Sequence, residues 1–235
     1  MKLYVGTSGY SYKEWKGSFY PEKIRAADML PYYASRLPAV ELNNTFYRLP
    51  QRSMVESWRS QVPESFRFAV KATQRITHFK RLKEAAAETN ELLETVSAFE
   101  DRLGAVLFQL PPNMQKDREL LETFLRGLPK NPPAAFEFRH PSWFDDDVLE
   151  LLRSHKRALC VADTDDLPTT HIDKTANWGY LRLRRVQYSK ANLAEWVKRI
   201  QAQNWTTAFV FFKHEDEATG PKLAAQFIAL RKDLA

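Results

Sequence analysis

Charged and amide side chains recur in this chain at one kind of place, the last positions of short apolar runs. Val40-Glu41-Leu42-Asn43, Phe68-Ala69-Val70-Lys71, Val106-Leu107-Phe108-Gln109, Phe136-Glu137-Phe138-Arg139, Leu181-Arg182-Leu183-Arg184 and Val210-Phe211-Phe212-Lys213 all end this way, and Val161-Ala162-Asp163 closes a seventh run. Along an extended strand, side chains alternate between two faces. If the apolar residues take one face, Glu41, Asn43, Lys71, Gln109, Glu137, Arg139, Arg182, Arg184 and Lys213 take the other, and Asp163 is counted with them. Buried charges are tolerated only when paired. The set is therefore either a structural network, in which Glu41, Glu137 and Asp163 neutralise the bases, or a ligand site. The collection of every charge at the same strand ends favours the site. Five bases against three acids favour an anion there, a phosphate or carboxylate.

The chemistry such a group could do is general acid–base catalysis. Glu137 is the first candidate, because Arg139 stands about 7 Å along the same strand face and would hold an anionic substrate beside it. Glu41 is a second carboxylate, too far round from Glu137 for a glycosidase pair. Lys71 and Lys213 could stabilise charge or, with a lowered pKa, act as nucleophiles. His78, His140 and His214 are alternative proton carriers, and Tyr10, Thr45 and Tyr47, in the loops after the first two runs, are further binding candidates. Rings follow the same strand ends (Tyr10, Tyr12, Trp15, Phe19, Tyr20, Phe46, Tyr47, Trp143, Phe144). They suit a ligand with a flat face, or else form a small outer core over the loops. Glu41, Glu137, His140, Asp163, His214 and Glu215 could gather round a metal, but Lys71, Arg139 and Arg182 would repel it, so no metal ligand is assigned. Nucleotide-binding glycine motifs and the G-x-S-x-G of serine hydrolases are absent, and no motif names a cofactor.

The elements that must position these residues follow from periodicity. Strand-like runs lie near 3–6, 38–43, 66–71, 105–109, 134–138, 158–163, 178–184 and 208–213. Helical spacing marks 25–36, 51–61, 80–103, 117–128, 145–154, 190–203 and 219–233. In the long segment 80–103 the stripe is Leu82, Ala86, Leu93, Val96, Phe99 and Leu103. Asp117 and Asp145 suit helix N-termini. Only 164–177 lacks a helical pattern and reads as loop. Eight strands alternating with helices predict an α/β fold, a (β/α)8 TIM-type barrel formed by residues 1–235 as one domain, with the helix between strands six and seven short or missing. Its sites lie at the C-terminal mouth, where the charges are.

Composition bounds the rest. Of 235 residues 44% are hydrophobic and 27% charged, a globular balance that excludes dominant disorder. No apolar run approaches the roughly 18 residues of a membrane span, and the start lacks a secretory apolar core. A cytoplasmic protein with no membrane partner is expected. The one cysteine, Cys160, lies in an apolar run and is expected to pack. Net charge is +6. The densest basic stretch, Lys71 to Lys83, is followed by Glu84, Glu88, Glu91 and Glu94, and reads as a solvated face of paired charges. The basic balance and the loop aromatics also support an alternative, a nucleic-acid-binding or processing factor. Oligomeric state is left open.

Several motifs together resemble a known family. Val5-Gly6-Thr7-Ser8-Gly9-Tyr10 with Trp15 and Phe19-Tyr20-Pro21, then Glu41-Leu42-Asn43-Asn44-Thr45-Phe46-Tyr47-Arg48-Leu49-Pro50, are similar to the YecE-like family, domain of unknown function 72. So are Phe68-Ala69-Val70-Lys71 with Thr77-His78, Phe108-Gln109-Leu110-Pro111-Pro112, Glu137-Phe138-Arg139-His140-Pro141-Ser142-Trp143 and Tyr180-Leu181-Arg182-Leu183. The resemblance runs in order along nearly the whole chain. It implies a TIM-barrel-like fold and brings no activity with it. Arg184-Arg185 stands where many relatives have His-Gly, and Lys213-His214-Glu215-Asp216-Glu217 replaces an asparagine-rich segment, so this pocket is the more charged. The function expected on these grounds is an enzyme acting on a small phosphorylated or carboxylated, sugar-like substrate.

Overall fold

Alternation of apolar and small residues gives eight strands that pair in parallel and in chain order. A computed structural model of the chain describes residues 1–166, 172–214 and 216–233. The strands are β1 (Lys2–Ser8), β2 (Ala39–Leu42), β3 (Arg67–Lys71), β4 (Leu103–Gln109), β5 (Ala134–Glu137), β6 (Ala158–Asp163), β7 (Trp178–Leu183) and β8 (Thr207–Phe212). Pairing of β1 with β8, Val5 opposite Val210, closes the sheet into a barrel, the expected TIM-type architecture. The helices are α1 (Met29–Ala34), α2 (Arg52–Ser60), α3 (Ala86–Val96), α4 (Arg118–Gly127), α5 (Asp146–Ser154), α6 (Lys190–Gln201) and α7 (Thr219–Asp233). Between β6 and β7 no helix occurs among the described residues. Residues 167–171 of the expected loop, and Glu215, lie outside them. Among the described residues no helix is long and apolar enough to cross a membrane.

Outward strand residues such as Val40, Phe68, Val106, Phe136, Leu181 and Val210 are buried against the helices. The axis is filled unevenly. Strands β2 to β6 contribute Ala39, Ala69, Ala105, Ala135 and Ala158, while Trp178, Tyr180, Phe209 and Phe211 enter from β7 and β8 and Tyr4 from β1. Large rings on one side meet methyl groups on the other, a complementarity of size that suits a narrow barrel. Cys160 is buried among these inner residues, as expected. At the β1–β2 seam a Cβ on Gly6 would stand 1.8 Å from the Ala39 carbonyl oxygen, so only glycine permits that approach.

One expected helix breaks up. Segment 80–103 becomes a tight turn with positive φ at Arg81, Leu82 and Glu84, then α3, then a 3-10 stretch Ser97–Arg102 interrupted at Glu100 (φ 51°). The buried face of α3 carries Thr89, Leu92 and Val96. Ala86 is exposed, so the stripe drawn through it is turned by one position. Leu82 and Phe99 are buried as expected, but from outside the helix. The expected charge pairing is present, with Glu88 forming ion pairs with Lys80 at 2.9 Å and Arg75 at 3.6 Å. Asp117 caps α4 through the Leu120 amide at 2.9 Å. Asp145 precedes α5 without a side-chain capping bond and pairs with Lys116 instead.

Candidate active site at the barrel mouth

Strand register places the inward polar residues side by side. Ser8 lies beside Glu41, and Gln109 beside Glu137. The Ser8 hydroxyl donates to Glu41 Oε1 at 2.6 Å, and the Gln109 amide donates to Glu137 Oε1 at 2.7 Å. Arg182, from β7, crosses the axis between the two carboxylates. Its guanidinium donates to Glu137 Oε2 at 2.6 Å and to Glu41 Oε1 at 3.0 Å. Tyr180, two residues before it on the same face, donates to Glu41 Oε2 at 2.7 Å, and the Asn43 amide donates to Oε1 at 3.1 Å. Glu41, Glu137 and Arg182 are 0%, 1% and 2% exposed. They form a floor whose carboxylate oxygens are all engaged.

Above this floor stand four partly exposed groups. Arg139 donates to Glu137 Oε1 at 3.1 Å, and Arg184 approaches the same oxygen at 3.9 Å. Lys71 leaves the end of β3 and sets its ammonium 3.8 Å from the centroid of the Phe46 ring. Among the described residues its amine makes no hydrogen bond or ion pair. Phe46 is fixed by its neighbour Thr45, whose buried hydroxyl reaches the Leu42 carbonyl at 2.9 Å and the Lys71 carbonyl at 2.7 Å, tying the turn after β2 to the end of β3. His78, in the turn after β3, meets the same Phe46 ring edge-on at 4.8 Å, and its Nδ1 lies 2.9 Å from Thr77 Oγ1.

The sequence of residues 4–234 matches the model of the family described as "Protein of unknown function DUF72". The chain belongs to the DUF72 family. UPF0759 protein YunF of Bacillus subtilis is 25% identical over 227 residues, covering 92% of this chain and 79% of YunF. UPF0759 protein YecE of Escherichia coli K12 is 31% identical over 144 residues, 60% of this chain and half of YecE. The crystal structure of a DUF72 family protein from Thermotoga maritima superposes with a TM-score of 0.82 at 26% identity, over 99% of this chain and all of that one.

Protonation in this DUF72 barrel follows from burial and the guanidinium at its centre. Burial alone would raise Glu137; Arg182, Arg139 and the Gln109 bond outweigh it and hold the carboxyl down at about 2. Glu41 is likewise lowered, burial being outweighed by Arg182 and by the bonds from Ser8 and Tyr180. Burial opposes the charge on Arg182, but its two carboxylates hold it protonated. Burial, then Arg182, brings Lys71 down to about 8 against the pull of Glu41 and Glu137. Burial and the nearby Lys71 and Arg139 lower His78 as well, so it is uncharged near neutral pH.

The floor and the groups above it bring together Glu41, Asn43, Lys71, His78, Gln109, Glu137, Arg139 and Arg182. Other expected site residues lie elsewhere. Asp163 faces the helices, accepting from Tyr188 at 2.9 Å and Trp196 at 3.3 Å and pairing with Arg185 at 2.8 Å. Tyr10 packs against Tyr33 at 6.2 Å between outer elements. Thr45 is buried as a strut, Tyr47 is 75% exposed, and Lys213 is exposed at the rim. His140 bonds to Ser142 at 2.8 Å, and His214 to the Arg185 carbonyl. Trp15, Tyr20 and Trp143 form an outer core and are buried; Trp143 stacks on Phe138 at 4.7 Å. Among the described residues no three His, Cys, Asp or Glu side chains gather as a metal site. Ser8, Tyr180 and the Phe46 platform are the parts that sequence reasoning missed. The signal for Tyr180 was its position two before Arg182, and for Ser8 its alternation with Tyr4 and Gly6.

Proposed function

We propose that this DUF72 protein is an enzyme that binds a small phosphorylated or carboxylated substrate at the barrel mouth and moves a proton on it. One observation carries the reading, the division of the ionic groups into two tiers. Glu41, Arg182 and Glu137 are buried and paired with one another, whereas Lys71, Arg139 and Arg184 stand partly exposed above them and leave an excess of positive charge. The triad carries one net negative charge, which Arg139 balances from 3.1 Å away; a network serving stability alone gains nothing from the two cations beyond that, since each costs desolvation and repels the next. An anion entering the mouth would relieve that repulsion and meet two guanidinium forks.

The roles differ from those the sequence suggests. Glu137, low in pKa and bonded by three residues, is a positioning residue together with Glu41. Proton transfer passes to Lys71 and His78, and Arg139 and Arg184 hold the anion. The nucleic-acid alternative loses much of its stacking argument, because Trp15, Tyr20 and Trp143 are buried.

Calorimetric titration with inorganic phosphate at low ionic strength tests the site. Charged hydrogen bonds contribute about 1.5–3 kcal/mol each, so Arg139→Met and Arg184→Met should each weaken binding roughly tenfold or more. Absence of phosphate binding to the parent protein at millimolar concentration would overturn the reading.

A further inference from the structure

We propose that Lys71 is a covalent nucleophile that forms an imine with a small aldehyde or ketone carrying a carboxylate or phosphate. The inference rests on the anion site described above and names its substrate class. Its basis is the contrast between Lys71 and the other cations of the mouth. Arg182 and Arg139 lie against carboxylate oxygens at 2.6 to 3.1 Å. The Lys71 amine lies instead over the face of Phe46 at 3.8 Å, with no carboxylate within ion-pair distance among the described residues. A lysine kept for charge balance would be expected on Glu41 or Glu137, both of which Arg182 occupies. The ring face positions the amine through its attraction for the ammonium, so no ion pair has to break before the nitrogen can attack. Burial and the nearby Arg182 and Arg139 favour the uncharged, nucleophilic form, and the value of about 8 leaves a usable fraction of it at neutral pH.

The step balances without any co-reactant beyond water. The Nζ lone pair adds to the carbonyl carbon, and the carbonyl π pair moves to oxygen, which takes up a proton. Nitrogen then loses a proton, and the carbinolamine expels its hydroxyl, protonated, as water, leaving C=N. His78, uncharged near neutrality and set edge-on to the same Phe46 ring at 4.8 Å, is the group placed to carry these protons. Arg139 and Arg184 would hold the carboxylate or phosphate, so the carbonyl must lie a few bonds from the anionic group. The imine would serve as an electron sink for bond cleavage or proton loss at the adjacent carbon.

The test is reductive trapping of the full-length protein with pyridoxal 5′-phosphate or glyoxylate in the presence of borohydride, followed by peptide mapping. Lys71 should carry the adduct at least tenfold faster than any other lysine. The rate should climb as pH rises toward 8, and Lys71→Arg, checked for an unchanged fold by circular dichroism, should lose the fast adduct. Added phosphate should protect Lys71. If phosphate binds by calorimetry but Lys71 is labelled no faster than surface lysines, the imine is wrong and the anion site stands. If phosphate neither binds nor protects and no fast adduct forms, both fall.

Discussion

At the scale of single residues, the two leading candidates respond oppositely to being inside the barrel. Glu137 is held at about 2, below its ordinary 4.5. The folded chain therefore binds fewer protons than the unfolded one between those values. The stability Glu137 brings is complete above pH about 4.5 and is lost as pH falls through about 2. Glu137→Gln leaves Arg182 buried with half its charge partners, and should cost about 3–5 kcal/mol in urea unfolding at pH 7. A loss below about 1 kcal/mol would show that the triad is not a coupled unit. Lys71 runs the other way. Its value of about 8 lies below the ordinary 10.5, so keeping it charged below pH 8 costs stability, and the cost is relieved as pH rises from about 8 to 10.5. Lys71→Met should therefore stabilise the protein at pH 7 by ~1–2 kcal/mol, allowing for solvent screening. It should also remove the upward slope of Tm against pH in that window; superimposable curves for parent and variant would place the amine in open water.

At the scale of elements, what was legible in the sequence was whatever the backbone period dictates. Period two in β2, β3, β5 and β7 fixed the faces of Glu41, Lys71, Glu137 and Arg182, because apolar residues mark one face and only one. In β6 the run Leu159-Cys160-Val161-Ala162 is apolar on both faces, so alternation could not assign Asp163. Its partners Tyr188 and Trp196 lie 25 and 33 residues away and are chosen by packing. Leu82 continued a helical period by coincidence, while the left-handed backbone at Arg81, Leu82 and Glu84 had no glycine to announce it. The end of α5 offers a cleaner case of the same kind. Lys156 has φ 56°, its amide donates to Arg153 O at 3.0 Å, and the Arg157 amide donates to Leu152 O at 2.9 Å. This is a Schellman ending with a lysine at the position that favours glycine. Relief of the Cβ penalty exceeds the entropy glycine adds to the unfolded chain. Lys156→Gly should thus gain about 0.5–1 kcal/mol, roughly 1–4 °C in Tm. A fall in Tm would show that the lysine side chain contributes more than its backbone costs.

At the scale of the whole molecule, the distribution of charge matters more than its sum. On the helix faces basic residues are neutralised within one turn: Arg52 by Glu56, Arg118 by Glu122, Arg153 by Glu150 and Arg199 by Glu195. Such pairs cancel at any distance beyond a Debye length of about 8 Å. At the mouth Arg182, Lys71, Arg139 and Arg184 outnumber Glu41 and Glu137 by two charges, so a positive field is directed at one spot rather than along a track. A polyanion needs a track, and rings on which to stack its bases; of the strand-end rings, Trp15, Tyr20 and Trp143 are buried, while Tyr47 and Phe144 are exposed. Single-stranded RNA or DNA should accordingly bind no tighter than about micromolar at ~50 mM salt, with a shallow salt slope reflecting few phosphates. Tyr47→Ala and Phe144→Ala should leave that weak affinity unchanged, while Arg139→Met lowers phosphate affinity. Nanomolar oligonucleotide binding that either ring substitution weakens tenfold would reverse the assignment, making the mouth one end of a stacking groove and its excess charge a phosphate contact on a longer strand.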